Sequence, residues 1–203
     1  YLARHSAASN RQRPYWKRSL RLFARVAKSR QWCPADQLTK ETVGVDTKPP
    51  HPLLSAQDIS GLDETVNTHQ FNPNAVRHTR SLGDLVGLSH IGVHLVRLEP
   101  GHDSTQFHTH HCDEEFIYIL SGHGIAEIGE SRHEVGPGDF MGFTVDSLAH
   151  NLSNPYAEDL VYLMSGERNK IDICDYPRIK RRMLRVDGKK QYTEWDDIHD
   201  VPQ

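Results

Sequence analysis

No run of apolar residues in this 203-residue chain approaches the ~20 needed to cross a bilayer as a helix, and 36% hydrophobic against 25% charged residues is an ordinary globular balance. No transmembrane segment is therefore expected. Cysteine is scarce. Cys33, Cys112 and Cys174 are odd in number and far apart, which excludes a disulfide framework and a CxxC metal site and fits a reducing, intracellular compartment. Acidic residues are missing altogether from residues 1–35, which carry seven Arg and two Lys. That segment holds +9, and because the whole chain sums to −3 the remainder holds −12. Histidine, by contrast, is abundant at 14 residues, and it is the commonest transition-metal ligand as well as the side chain that titrates near neutrality.

The length suits one domain with extensions. In residues 1–35, Pro14 can start a helix in which Trp16, Leu20, Phe23 and Ala27 recur at helical spacing while Arg18, Arg21, Arg25 and Lys28 take other faces. The segment thus reads as a basic amphipathic arm. Its cations suit an anionic partner such as rRNA or lipid, or a protein neighbour. Arg-rich, Ser-containing and acid-free is also the composition of a mitochondrial transit peptide, which makes the mitochondrial matrix an expected location. The chain begins at Tyr1 rather than Met, so its true start is expected upstream; the composition reads as a retained targeting or docking arm, with a solvated surface helix as the plainer alternative.

Residues 36–79 read as an irregular connector broken by Pro49, Pro50 and Pro52, with a short helix near Leu54 to Ile59. From about residue 80 to 166 the texture becomes short β-like runs between turn signals, the pattern of an all-β barrel or sandwich. Strands are expected near Ile91–Leu98, Gln106–His111, Glu115–Leu120, Gly124–Ile128, Arg132–Val135, Phe140–Thr144, Ala149–Ser153 and Leu160–Met164. Residues 167–203 read as an irregular C-terminal extension.

The chemistry falls in the barrel. His108 and His110 are two apart on an expected strand, so both project from one face toward a common point. A short turn then delivers Glu115 onto the next strand, and His150 arrives on another strand as a fourth donor. Three imidazoles and a carboxylate suit one divalent Fe, Mn, Ni, Co, Cu or Zn ion, and an octahedral ion would keep about two positions open for a small ligand.

The order Gly101, His108-Thr109-His110, Glu115, Gly122 resembles the first signature motif of the cupin superfamily. The second motif is represented by Gly138-Asp139 and by His150 with Asn154, although Val145-Asp146-Ser147 stands where the family has Pro-x-Gly. Gly101 also lies one residue further from His108 than the usual spacing. The resemblance covers roughly residues 83–166 and implies a jelly-roll β-barrel with His108, His110, Glu115 and His150 as the metal ligands. It further implies frequent dimerisation and, where there is turnover, dioxygenase, isomerase, decarboxylase or lyase chemistry. After Gly166, Asp175-Tyr176-Pro177 and Asp187-Gly188 are similar to the tails of single-domain bacterial cupins of unassigned substrate.

Neighbouring residues compete for these roles. Glu114 could replace Glu115, but Glu115 keeps the motif's distance to Gly122. His102, His111, His123 and His133 read as surface or turn residues, and His94 reads as a barrel histidine that can face the cavity. Cys112 reads as merely buried, and Tyr118 falls on the strand face opposite Glu115. The run Arg178, Lys180, Arg181, Arg182, Arg185 could contact phosphate, although such runs are commonly solvated. Three functions stay open: a metal-binding accessory subunit docked by its arm to a larger assembly, a free-standing mononuclear metal enzyme acting on a small molecule, and a metal-containing binding module that holds a small ligand without turnover.

Overall fold

A computed structural model describes residues 50–199, and the basic arm with Arg18, Arg21, Arg25 and Lys28 lies outside the described residues. The described chain opens with a short helix, α1 (Ala56–Ser60), in which the Ser55 hydroxyl accepts from the Asp58 N–H and the Asp58 carboxylate accepts from the Ser55 N–H. This reciprocal cap sets the start of the helix slightly later than the composition suggested.

Beyond this helix the described residues are mostly strand. The first seven strands are β1 (Thr65–His69), β2 (Asn72–Arg80), β3 (Ile91–Leu98), β4 (Thr109–His110), β5 (Glu115–Ser121), β6 (Gly124–Ile128) and β7 (Ser131–Val135). The remaining six are β8 (Phe140–Phe143), β9 (His150–Ser153), β10 (Leu160–Glu167), β11 (Ile171–Tyr176), β12 (Arg181–Val186) and β13 (Lys189–Glu194). A one-turn helix, α2 (Leu82–Leu85), links β2 to β3. No described helix is long and apolar enough to cross a membrane.

The strands form a six-stranded sheet, β1-β2-β3-β10-β5-β8, a four-stranded sheet, β13-β12-β11-β4, and a three-stranded sheet, β7-β6-β9. A bridge between His108 and His150 joins the last two. The expected strand at Gln106–His111 is thus divided, with His108 pairing with β9 and Thr109–His110 pairing with β11.

Alternation explains the core. On β3, β5 and β10 the residues Val96, Leu98, Ile117, Ile119, Leu160 and Tyr162 point inward and meet Ala126, Val135 and Leu152 from the three-stranded sheet. Leu98 and Leu160 are fully buried, each contributing about 1.5–3 kcal/mol.

Two expectations are overturned. The connector is not irregular throughout, because β1 and β2 extend the six-stranded sheet at its edge. Nor is the C-terminal extension irregular, since β11, β12 and β13 form most of the four-stranded sheet. Their polarity hid the period of two. Opposite charges sit directly across the ladders, Asp172 against Arg185, Asp175 against Arg182 and Arg181 against Glu194, so charge pairs do the work that apolar pairs do elsewhere.

Candidate metal centre

The four expected ligands converge. His108 and His150 are directly opposed, with the His108 N–H donating to the His150 carbonyl at 3.1 Å and the His150 N–H donating back at 2.7 Å. That pair brings their imidazole centres to 4.5 Å, and the two-residue spacing puts His110 5.0 Å from His108. Glu115, at the start of β5, faces all three: its carboxylate oxygens lie 3.0 Å from His110 Nε2, 3.2 Å from His150 Nε2 and 3.7 Å from His108 Nε2. Donor atoms of His108, Glu115 and His150 lie within 4.8 Å of one another. Glu114 is exposed and away from this centre.

The outer nitrogens decide what the inner ones can do. His108 Nδ1 lies 2.9 Å from the Gln106 carbonyl, and His110 Nδ1 lies 2.7 Å from the Asp172 carboxylate. Both partners can only accept, so each ring carries its proton on Nδ1 and, when neutral, aims an Nε2 lone pair at Glu115. Lone pairs and a carboxylate pointing at one place is the donor set of a cation site, and three nitrogens with one oxygen suit a divalent transition metal. His150 differs. Its Nδ1 is buried without a partner among the described residues, and its ring is held by Phe143, stacked at 3.5 Å and 3°.

Between the side chains themselves, the electrostatics favour protons at this point, which a bound cation would displace. Burial pushes the Glu115 carboxyl up, but bonds from His108, His110 and His150 outweigh it and hold the group well below the usual carboxylate range. Burial lowers His108. Burial also opposes charge on His110, where bonds to Asp172, Cys174 and Glu115 win and raise it.

The centre lines a cavity of about 330 Å³, within the range of small-molecule sites. His94 also lines it, with Nδ1 3.1 Å from the Ser81 hydroxyl. Tyr118 is turned outward. His111 is not a free surface residue, because it bonds Asp146 and, at 2.9 Å, Asp175. Asp146, in the middle of the segment that departs from Pro-x-Gly, takes φ 57°, a left-handed conformation that Asp tolerates. The C-terminal arginines contact carboxylates: Arg178 meets Glu127 at 2.8 Å, Arg181 meets Glu194 at 2.6 Å, Arg182 meets Asp175 at 2.6 Å, and Arg185 meets Asp113. Asp172, Arg77 and Tyr162 were missed from sequence, the first two because their strands were not expected.

A family model for the cupin domain, Cupin_2, matches residues 94–166. A structure from Acidithiobacillus ferrooxidans, provisionally named a sugar phosphate isomerase, is 42% identical with a TM-score of 0.72, over 74% of this chain and 97% of its own. A cupin-superfamily structure from Silicibacter pomeroyi named a sugar phosphate isomerase is 28% identical with a TM-score of 0.64, over 72% of this chain and 94% of its own. Comparison with curated proteins finds no match. The chain belongs to the cupin superfamily.

Proposed function

We propose that this protein is a metal-dependent isomerase of a small phosphorylated sugar. The observation that carries the reading is that His108, Glu115 and His150 offer donor atoms within 4.8 Å of one another, with His110 Nε2 3.0 Å from Glu115, in the wall of a cavity large enough for such a molecule. The names of the two similar structures supply the substrate class. These four residues would hold one divalent ion, which when bound supplies Lewis acidity toward the substrate's oxygens.

Isomerisation of an aldose to a ketose moves a proton between adjacent carbons, so the chain must offer a group that takes the proton from one carbon and returns it to the next within the cavity. His69 and His94 both line it. Burial lowers both imidazoles, His69 to about 4, so each is neutral at physiological pH. The Phe71 N–H donates to His69 Nδ1 at 3.2 Å, so neutral His69 carries its proton on Nε2 and donates into the cavity, and His94, whose Nδ1 lies 3.1 Å from the Ser81 hydroxyl, is the imidazole that can present a free Nε2.

The test is exchange chemistry. Protein loaded in turn with Mn, Fe, Co, Ni or Zn and given aldose and ketose phosphates in deuterium oxide should wash deuterium into the carbon beside the carbonyl, read by proton NMR. A His108→Ala, His150→Ala double variant should hold no stoichiometric metal and show no exchange. Absence of exchange with every metal and sugar phosphate would overturn the isomerase reading, and equal metal content in wild type and variant would overturn the centre. Docking of the protein to a larger, mitochondrial assembly through rRNA or protein contacts rests on the +9 charge of residues 1–35 alone.

A further inference from the structure

Two polar groups on the cavity wall carry donors that no strong acceptor takes up among the described residues. Arg77 lies on β2, two residues from the buried Ala75, and so reaches into the barrel. Its guanidinium meets the Met164 thioether at 3.7 Å and, among the described residues, no carboxylate. Arg77 is half-buried, and its five N–H donors meet one weak acceptor among the described residues, which leaves the guanidinium fork free for an anion entering the cavity. The other cavity arginines are already satisfied: Arg168 pairs with Asp84 at 2.6 Å, and Arg185 pairs with Asp113.

The second group is the Tyr162 hydroxyl. Tyr162 is fully buried on β10, lines the same cavity, and its hydroxyl has no hydrogen-bond partner among the described residues. Burial pushes its pKa up to about 12, so it stays a donor. Lys190, exposed on β13 and also lining the cavity, adds a second cation with no acid partner among the described residues. Two cations without acid partners and an unpaired hydroxyl on one cavity wall match a phosphate dianion in charge and in donor type, and a guanidinium fork binds two phosphate oxygens at once.

We propose that Arg77 and the Tyr162 hydroxyl form the phosphate subsite of this cavity, with Lys190 at its solvent edge, anchoring a phosphorylated substrate so that its oxygens face His108, His110, Glu115 and His150. The assignment rests on the reading of those four residues as the reactive centre. It adds which end of the substrate the rest of the barrel holds.

Calorimetric titration of the metal-loaded full chain with inorganic phosphate tests it, with acetate as the monoanion comparison. Arg77→Met, which keeps the volume and removes the charge, should weaken phosphate binding by at least about tenfold. Tyr162→Phe, which removes one donor, should weaken it by about threefold to tenfold. Arg178→Met, outside the cavity and paired with Glu127, should bind phosphate as the wild type does. Metal content, measured in parallel, should be equal in all four proteins.

Because Arg77 has no carboxylate partner to lose among the described residues, Arg77→Met should unfold no earlier than wild type in phosphate-free buffer, while losing the rise in Tm that phosphate gives. Arg77→Lys, with charge but no fork, should bind with intermediate affinity. Phosphate binding that ignores Arg77, no binding by wild type, or acetate binding as tight as phosphate would each overturn the subsite. Binding lost in the metal-free His108→Ala variant would place the anion on the metal instead and overturn it too. A wild type without metal whose phosphate binding still depends on Arg77 would sink the isomerase reading alone.

Discussion

The carboxylate of Asp172, fully buried on β11, accepts from His110 Nδ1 at 2.7 Å across sixty-two residues of sequence. This contact fixes the His110 tautomer and ties the C-terminal sheet to the candidate metal centre. Removing the acceptor leaves Nε2 less basic and the ring free to turn. Asp172→Asn should therefore lower metal affinity by about tenfold, and Asp172→Ala by more, with the secondary structure seen by circular dichroism unchanged. Competition against a chelator reads the affinity, and equal affinity in all three proteins would remove Asp172 from any positioning role.

Gly122 is required for two separable reasons. It adopts φ 75°, and a Cβ built there would lie 2.2 Å from the Asp159 carbonyl oxygen. Gly138 adopts φ 95° but has open space where its Cβ would go. Gly138→Ala should thus lose only the conformational part, about 1 kcal/mol, whereas Gly122→Ala should lose more than about 2 kcal/mol because backbone must also move. Urea midpoints measure both. Equal losses would mean that the clash is relieved without strain.

Stability should form a dome in pH with its top near 6.5. Burial, aided by the charge of Arg77, holds the folded His69 at about 4 against an ordinary value of 6.5. Below 6.5 the unfolded chain takes up a proton that the fold refuses, so stability falls from about 6.5 toward 4, and His94 acts in the same direction. His111 has the opposite sign. Its bond to Asp175 raises it, so its contribution is complete below 6.5 and is lost as pH climbs through the raised value. His69→Phe should flatten the acid side and His111→Gln the alkaline side, as followed by Tm against pH; unchanged profiles would refute the assignments.

The middle of the molecule, where apolar residues alternate, was the most legible in the sequence. β3 and β6 lie where the alternation put them, and the spacing His108, His110, Glu115, His150 was visible because a strand's period of two needs no tertiary knowledge. Polar strands were illegible. β12 reads as a charge run until Asp172 and Asp175 are known to lie across from Arg185 and Arg182, a fact of pairing rather than composition. Arg77 was hidden for the same reason, since its inward direction is defined only once β2 is a strand. Tyr162 was not hidden: flanked by Leu160 and Met164 on an expected strand, its inward position could have been read from alternation alone.

His150 is held differently from its two partners, and this predicts a different sensitivity. His108 and His110 have Nδ1 acceptors in Gln106 and Asp172, whereas His150 Nδ1 has none among the described residues, so the plane of its ring depends on the parallel stack with Phe143. Phe143 is itself buried in the core on β8, directly across the ladder from Glu115. Phe143→Leu keeps an apolar side chain but removes the flat surface, so it should destabilise the fold by about 1–2 kcal/mol. It should also weaken metal binding by about threefold to tenfold, because His150 must then be ordered at the moment the ion binds. Phe143→Tyr keeps the stack and should retain the affinity even if stability falls. A metal affinity that follows stability in both variants, rather than the presence of the ring, would show that Phe143 only fills space.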